Sequence, residues 1–266
     1  MLHRRLRRVL GPAKIPPVPT GISIALAALA LTGCEPAVGV YDPPIAWRAS
    51  VAVGRTNGGS LRRGVQLPPS GPHHLTYDPA RRALSSPAWR RWGSDRLVRT
   101  TLCVIQDYRT ADPDAARVVV GDLSRPHGGP FGPRYGGLGH ASHQNGLDID
   151  VYYPRWDGRE TPPRGIDDVD LERSQQLVDR FVAAGAVLIV VGPHTDLSAA
   201  GRKRVIEVAA HHDDHMHVRL PLPVGQSAGV AAPARAKLPA ENGNITPPST
   251  ARRLPSWSTQ TSTSQP

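Results

Sequence analysis

Cysteine is nearly absent, with two residues in a chain of 266. That excludes a disulfide framework and any cysteine-rich zinc module. No apolar run is long enough for a comfortable transmembrane helix, which needs about 20 residues; the apolar stretch Gly21–Leu31 is too short. A repeating G-x-y period is missing, which excludes collagen, and no internal repeat is visible. Hydrophobic residues make up 39% and charged residues 20%, with a mean hydropathy of −0.32. A polytopic membrane protein and a wholly disordered chain are both excluded. Glycine (26) and proline (28) are plentiful, which points to long loops and unstructured ends around a modest core.

The formal charge of +10 suggests nucleic acid until it is located. Residues 1–33 hold Arg4, Arg5, Arg7, Arg8 and Lys14 with no acid, and residues 222–266 hold four basic side chains against Glu241. The stretch between them carries only +2. No basic helix interleaved with aromatics is present, so no nucleic-acid partner is expected.

The first 33 residues read as an export signal: a basic start, then the short apolar Gly21–Leu31. The sequence Leu31-Thr32-Gly33-Cys34 resembles a bacterial lipobox. Its expectation is a lipid on Cys34 that anchors the chain to a membrane. Cys103, in Leu102-Cys103-Val104-Ile105, is then an unpaired, buried, small hydrophobe. Residues 34–71, with Gly58-Gly59-Ser60 and Pro68-Pro69, read as a flexible tether. Residues 222–266, rich in Ala, Pro, Ser and Thr, bury too little apolar surface to order, so a disordered tail is expected.

A folded domain is expected over 72–221. Arg96–Ile105 fits a helix or a strand, and Arg117–Leu123 a short buried strand. Leu147–Tyr153 alternates, with Asp148, Asp150 and Tyr152 on one face and Leu147, Ile149 and Val151 on the other. Asp170–Ala184 has helical spacing, with Asp170 as N-cap and Gly185 as stop. Ala186–Val191 predicts a strand and Ser198–Ala210 a second helix. His215–Leu220 predicts a strand with His215, His217 and Arg219 on one face. The expected class is α+β, built on a small antiparallel sheet flanked by helices.

The histidines are concentrated. Six of the eleven fall in Gly139-His140-Ala-Ser-His143-Gln-Asn-Gly146-Leu-Asp148-Ile-Asp150 and His211-His212-Asp-Asp-His215-Met-His217. On a strand, His215 and His217 project side by side from one surface. Gly146 permits a sharp turn that leaves His143 in a loop and returns Asp150 on the polar face of a strand. Two histidines and one carboxylate from these segments make three ligands and leave a fourth position for water, the pattern of a catalytic zinc site.

These two segments resemble the penicillin-insensitive murein endopeptidases, of the lysostaphin, D-Ala-D-Ala peptidase and hedgehog superfamily. The shared pattern is H-x6-D followed by H-x-H, here His143-x6-Asp150 and His215-Met-His217. The string Gly139–Asp148, His212 and Val218-Arg219-Leu220 carry the likeness further, as do Val119–Asp122 and Gly128-Gly129. The resemblance implies a hedgehog/D-Ala-D-Ala-peptidase-like fold and one Zn²⁺ ion on His143, Asp150 and His217, with His140 as an alternative ligand. It implies His215 as general base, His212 in transition-state stabilisation, and Ser142 and Gln144 as supporting groups. The implied reaction is hydrolysis of a peptide cross-link in peptidoglycan, of the D-alanyl–meso-diaminopimelate type, in the periplasm or cell envelope.

Residues 152–170 do not match that family clearly, and Tyr152, Tyr153 and Trp156 there are candidates for lining a cleft. Asp213 and Asp214 add negative charge beside His215. The rival readings are a zinc D,D-carboxypeptidase or dipeptidase of the same superfamily and a non-catalytic wall-binding lipoprotein. Nothing in the sequence fixes an oligomeric state.

Overall fold

The computed structural model describes residues 34, 36, 40–131, 140–201 and 205–222. The expected export signal over 1–33, Gly139 and the expected tail from 223 onward lie outside the described residues.

The chain enters through a hairpin, β1 (Val51–Arg55) and β2 (Gly58–Arg62), paired antiparallel with Arg55 opposite Gly58. This corrects the tether expected over 34–71. The hairpin buries Ala52 and Leu61, and the chain after it buries Val65 and Leu67. Gly59, which suggested a flexible linker, is a steric requirement. A Cβ there would lie 2.3 Å from the Arg55 carbonyl and 2.4 Å from that of Val53. The proline-rich end is also docked. The Pro69 carbonyl accepts from the Thr76 amide at 2.9 Å, and the Pro68 carbonyl faces His74 Nε2 at 3.1 Å. A two-stranded pair follows, β3 (Val65–Gln66) with β6 (Trp92–Gly93).

The main sheet has seven strands in the order β10-β9-β11-β8-β7-β4-β5. They are β4 (His74–Asp78), β5 (Ala83–Leu84), β7 (Val118–Val120), β8 (Asp148–Tyr152), β9 (Leu188–Val191), β10 (Ile206–Val208) and β11 (His215–Arg219). The sheet is mixed rather than purely antiparallel: β4/β7 and β10/β9 run parallel and the other pairs antiparallel.

Two α-helices are present among the described residues, giving an α+β arrangement. The first, α1 (Asp95–Ala111), resolves the ambiguity at 96–105 as helix. Ser94 caps it by accepting from the Leu97 amide, and Leu97, Val98, Leu102, Ile105 and Tyr108 form its buried stripe. The second, α2 (Leu171–Ala183), is capped by Asp170 as its sequence predicts, buries Leu177, Val178, Phe181 and Val182, and stops at Gly185 with φ +90°. Both helices pack into one apolar core with Val118, Val120, Ile149, Val151, Ile189, Met216 and Val218 from the back of the sheet. None of the described helices is long and apolar enough to cross a membrane.

Two further corrections concern the expected second helix over Ser198–Ala210 and Cys34. Within that range, Ile206–Val208 forms the edge strand β10 against β9. Gly201, at φ +72°, and the β-branched Val205, Ile206 and Val208 favour that outcome over a helix. Cys34 is bonded to Cys103 in a disulfide, with Cα atoms 6.0 Å apart. A sulfur in that bond cannot carry a thioether-linked lipid, so the lipid anchor expected on Cys34 is withdrawn. Helix α1 carries Cys103 to within bridging distance of the incoming chain, which the lipobox reading overlooked.

Candidate metal centre and active site

The site is built on the ladder between β8 and β11. Three pairs face each other across it: Asp148 with Arg219, Asp150 with His217, and Tyr152 with His215. The alternation read from the sequence holds on both strands, and Ile149, Val151, Met216 and Val218 go into the core behind. Sequence alternation therefore puts three polar cross-strand rows on one surface.

His143 reaches this surface from the loop before β8. Gly146, at φ +75°, turns the chain as expected; a Cβ there would meet Leu61 methyls at 2.9 Å. His143 itself has φ +68°, unusual for a residue with a side chain. Two hydrogen bonds hold it there. Its amide donates to Asp148 Oδ2 at 3.0 Å, and its Nδ1 pairs with the Leu123 carbonyl at 2.8 Å. The carbonyl requires a proton on Nδ1, which leaves Nε2 as a lone-pair donor aimed into the site.

Three donor atoms converge. His143 Nε2 lies 3.1 Å from His217 Nδ1 and 3.3 Å from Asp150 Oδ1, and His217 Nδ1 lies 3.1 Å from Asp150 Oδ1. Ligands bound at 2.0–2.1 Å in a tetrahedral zinc site stand about 3.3 Å apart. The triangle thus has the size that a zinc ion requires. A wider grouping of His140, His143 and Asp150 keeps its donor atoms within 4.8 Å of one another. His140 Nδ1 is 3.8 Å from Asp150 Oδ2, on the other side of that carboxylate. The triangle with His217 is the tighter of the two groupings, and His140 borders it.

The electrostatics favour a positive charge at this point. Burial would raise the Asp150 carboxyl, but the adjacent His143, His217 and His140 outweigh it and hold the group well below the usual carboxylate range. Burial would lower His217, yet hydrogen bonds to Asp148 and Asp150 raise it to about 9. Asp148 is buried as well, but His217, His143 and Arg219 keep it ionised. Arg219 Nε donates to Asp148 Oδ1 at 2.6 Å. Asp148 thereby ties together the His143 amide, Arg219 and, at 3.6 Å, His217 Nε2. That is the carboxylate partner a metal-binding imidazole commonly has.

His215 stands in the next row. Its Nδ1 pairs with Asp214 Oδ1 at 2.7 Å, which leaves Nε2 as the free acceptor. Burial would lower its pKa, while Asp214 and Asp150 raise it and prevail, in the direction expected from the neighbouring acids. The His212 ring lies 4.8 Å from that of His215, and its Nδ1 pairs with the Ala210 carbonyl at 2.9 Å. Burial lowers its pKa.

All four of His140, His212, His215 and His217 open onto one cleft of about 970 Å³. The tip of the β1–β2 hairpin, Gly54–Asn57, and Leu188 and Val190 of β9 line it as well. Ser142 lines the cleft, but the groups that orient His143 are the Leu123 carbonyl and Asp148. Tyr153 is core rather than cleft. Trp156 is 65% exposed, its indole donating to the Asp167 carbonyl.

A family model described as penicillin-insensitive murein endopeptidase matches residues 52–184. The chain belongs to that family. The match spans half of the chain and takes in the hairpin, His140, His143 and Asp150; β11, with His215 and His217, lies beyond its end. No individual curated protein gives a significant match. As a murein endopeptidase the protein acts on peptidoglycan, which puts its work at the cell envelope.

Asp214 stands beside His215 as its sequence position suggests, whereas the supporting parts played by Asp148, Asp122 and Arg219 had not been assigned from the sequence. Asp148 was legible by its two-residue spacing from Asp150 on the same face. The hairpin wall was legible too, because Asn57-Gly58 between Val51/Val53 and Leu61 is a strong turn signal.

Proposed function

We propose that this protein is a zinc-dependent murein endopeptidase that cleaves peptide cross-links of the D-alanyl–meso-diaminopimelate type, on a hedgehog/D-Ala-D-Ala-peptidase-like fold. The carrying observation is the triangle of His143 Nε2, Asp150 Oδ1 and His217 Nδ1, with edges of 3.1–3.3 Å beside an open cleft. Those three residues hold the ion in this reading, and residues 1–33 export the chain. A bound zinc ion would supply Lewis acidity, lowering the pKa of a water molecule towards about 7 and polarising the scissile carbonyl.

The remaining chemistry belongs to the side chains. His215, its Nδ1–H held by Asp214, accepts a proton at Nε2 from the attacking water. The water oxygen bonds to the carbonyl carbon, and the amide C–N bond breaks. His215 then returns the proton to the leaving amine, so that a carboxylate and an amine are released. His212, beside His215 on the cleft wall, stabilises charge developing on the carbonyl oxygen.

The test is digestion of purified cross-linked muropeptides, with and without chelator, read by mass spectrometry. Conversion of dimers to monomers that stops on chelation and returns with zinc is expected. Cleavage indifferent to metal, or release of terminal D-alanine with cross-links intact, would overturn the reading; the second outcome indicates the carboxypeptidase alternative.

A further inference from the structure

His140 is tied to a buried ion pair that the reaction as described does not use. Its Nε2 lies 2.7 Å from Asp122 Oδ2. Asp122 is also gripped by Arg90, with Nε donating to Oδ1 at 2.6 Å and NH2 to Oδ2 at 2.5 Å. Both Arg90 and Asp122 are sealed from solvent. Arg90 is further fixed over the rings of Trp89 and Phe131, at 5.0 and 5.2 Å. Phe131 in turn packs edge-on against His140, with centroids 5.1 Å apart.

The backbone places this assembly beside the metal centre. The Asp150 amide donates to the Asp122 carbonyl at 2.9 Å, and the Gly121 amide to the Asp150 carbonyl at 2.9 Å. His140 consequently spans two carboxylates: Nε2 on Asp122 and Nδ1 facing Asp150 Oδ2 at 3.8 Å.

We propose that Arg90 and Asp122 are positioning residues that lock His140 with its proton on Nε2, so that Nδ1 presents a lone pair to the metal centre as a further nitrogen donor. The inference rests on the reading of His143, Asp150 and His217 as zinc ligands. An ion pair that served packing alone would need no third partner, whereas Asp122 Oδ2 accepts from Arg90 and His140 at once. Arg90 offers only donors, so both Asp122 oxygens must accept. An amide in place of the carboxylate opposes a donor to a donor on one side or the other, and the relay loses its polarity.

The test compares Asp122→Asn with the parent protein. Zinc affinity is measured by competition with a chromophoric chelator, and the His140 ring nitrogens are followed by ¹⁵N NMR in metal-free protein. Once the ring has been titrated to its neutral form, the parent should show His140 with its proton on Nε2, and Asp122→Asn should shift that proton to Nδ1. The variant's zinc dissociation constant should rise 10- to 100-fold. The double variant Asp122→Asn/His140→Ala should bind zinc no more weakly than His140→Ala alone. A parent whose neutral His140 carries its proton on Nδ1 in metal-free protein overturns the relay, and that result needs no variant to fold. Unchanged zinc affinity in Asp122→Asn, or additive losses in the double variant, also overturns it. Zinc that binds with the expected linkage while muropeptides stay intact would fail the proposed reaction and leave the relay standing.

Discussion

His74 ties the unexpectedly folded proline segment to the sheet, and its charge state gives a quantitative handle on that docking. The ring is fully buried, with Nε2 on the Pro68 carbonyl and Nδ1 without a hydrogen-bond partner. Burial, with Arg91, His73 and Arg117 nearby, lowers its pKa from 6.5 to about 4. The unfolded chain therefore binds a proton between those values that the folded chain refuses. The stabilisation is complete above pH 6.5 and is lost as pH falls towards 4. At 1.36 kcal/mol for each pH unit, the full loss is about 3 kcal/mol, of which about 2 kcal/mol is spent by pH 5. Urea unfolding of the parent and His74→Gln from pH 7.5 to 4 isolates this contribution, because the other titrating groups are common to both. The parent's advantage at pH 7 should shrink by about 2 kcal/mol at pH 5. A difference that stays constant across the range would show that His74 is not buried in neutral form and that the segment is not docked as described.

Four other outcomes follow from the site and its supports. His143→Ala and Asp150→Asn should each abolish zinc retention and cleavage, as read by equilibrium dialysis and muropeptide digestion. His215→Ala should keep zinc but lose roughly 10²–10⁴ in turnover, whereas His217→Ala should lose both; full activity in either counts against the assigned roles. Gly59→Val should destabilise the domain by roughly 1–3 kcal/mol or more, since its Cβ would lie 2.3 Å from the Arg55 carbonyl; an unchanged melting temperature would contradict the hairpin geometry. Alkylation followed by mass spectrometry should find Cys34 and Cys103 protected until a reductant is added, and a lipid mass on Cys34 would contradict the disulfide.

The residues that carry chemistry were legible because strands β8 and β11 alternate cleanly. Once Asp150 and His217 are each placed on the polar face of a strand, only the pairing of those strands is needed to bring them together. The capped helix α2 was equally plain, since Asp170, the Leu177–Val182 stripe and Gly185 all agree. The docked segment before β4 was hidden because its composition imitates a linker. Gly54 and Gly59 serve close backbone crossing, and Pro68 and Pro69 offer carbonyls to His74 and Thr76. The stretch 198–210 misled because Ala- and Arg-rich sequence favours helix locally, while pairing with β9 decides the outcome. The supporting shell of Asp122, Arg90 and the Leu123 carbonyl was unreadable for another reason. It depends on contacts between segments about 20 to 30 residues apart, which no local periodicity records.

X-ray absorption at the zinc edge of the metal-loaded protein tests the central claim most directly. One carboxylate and two imidazoles from β8, β11 and the His143 loop, with His140 as a third imidazole where the relay holds, predict a first shell of nitrogen and oxygen at about 2.0–2.1 Å, with imidazole scattering that weakens in His217→Ala. A shell of six oxygens, or one that His217→Ala leaves unchanged, would contradict the account.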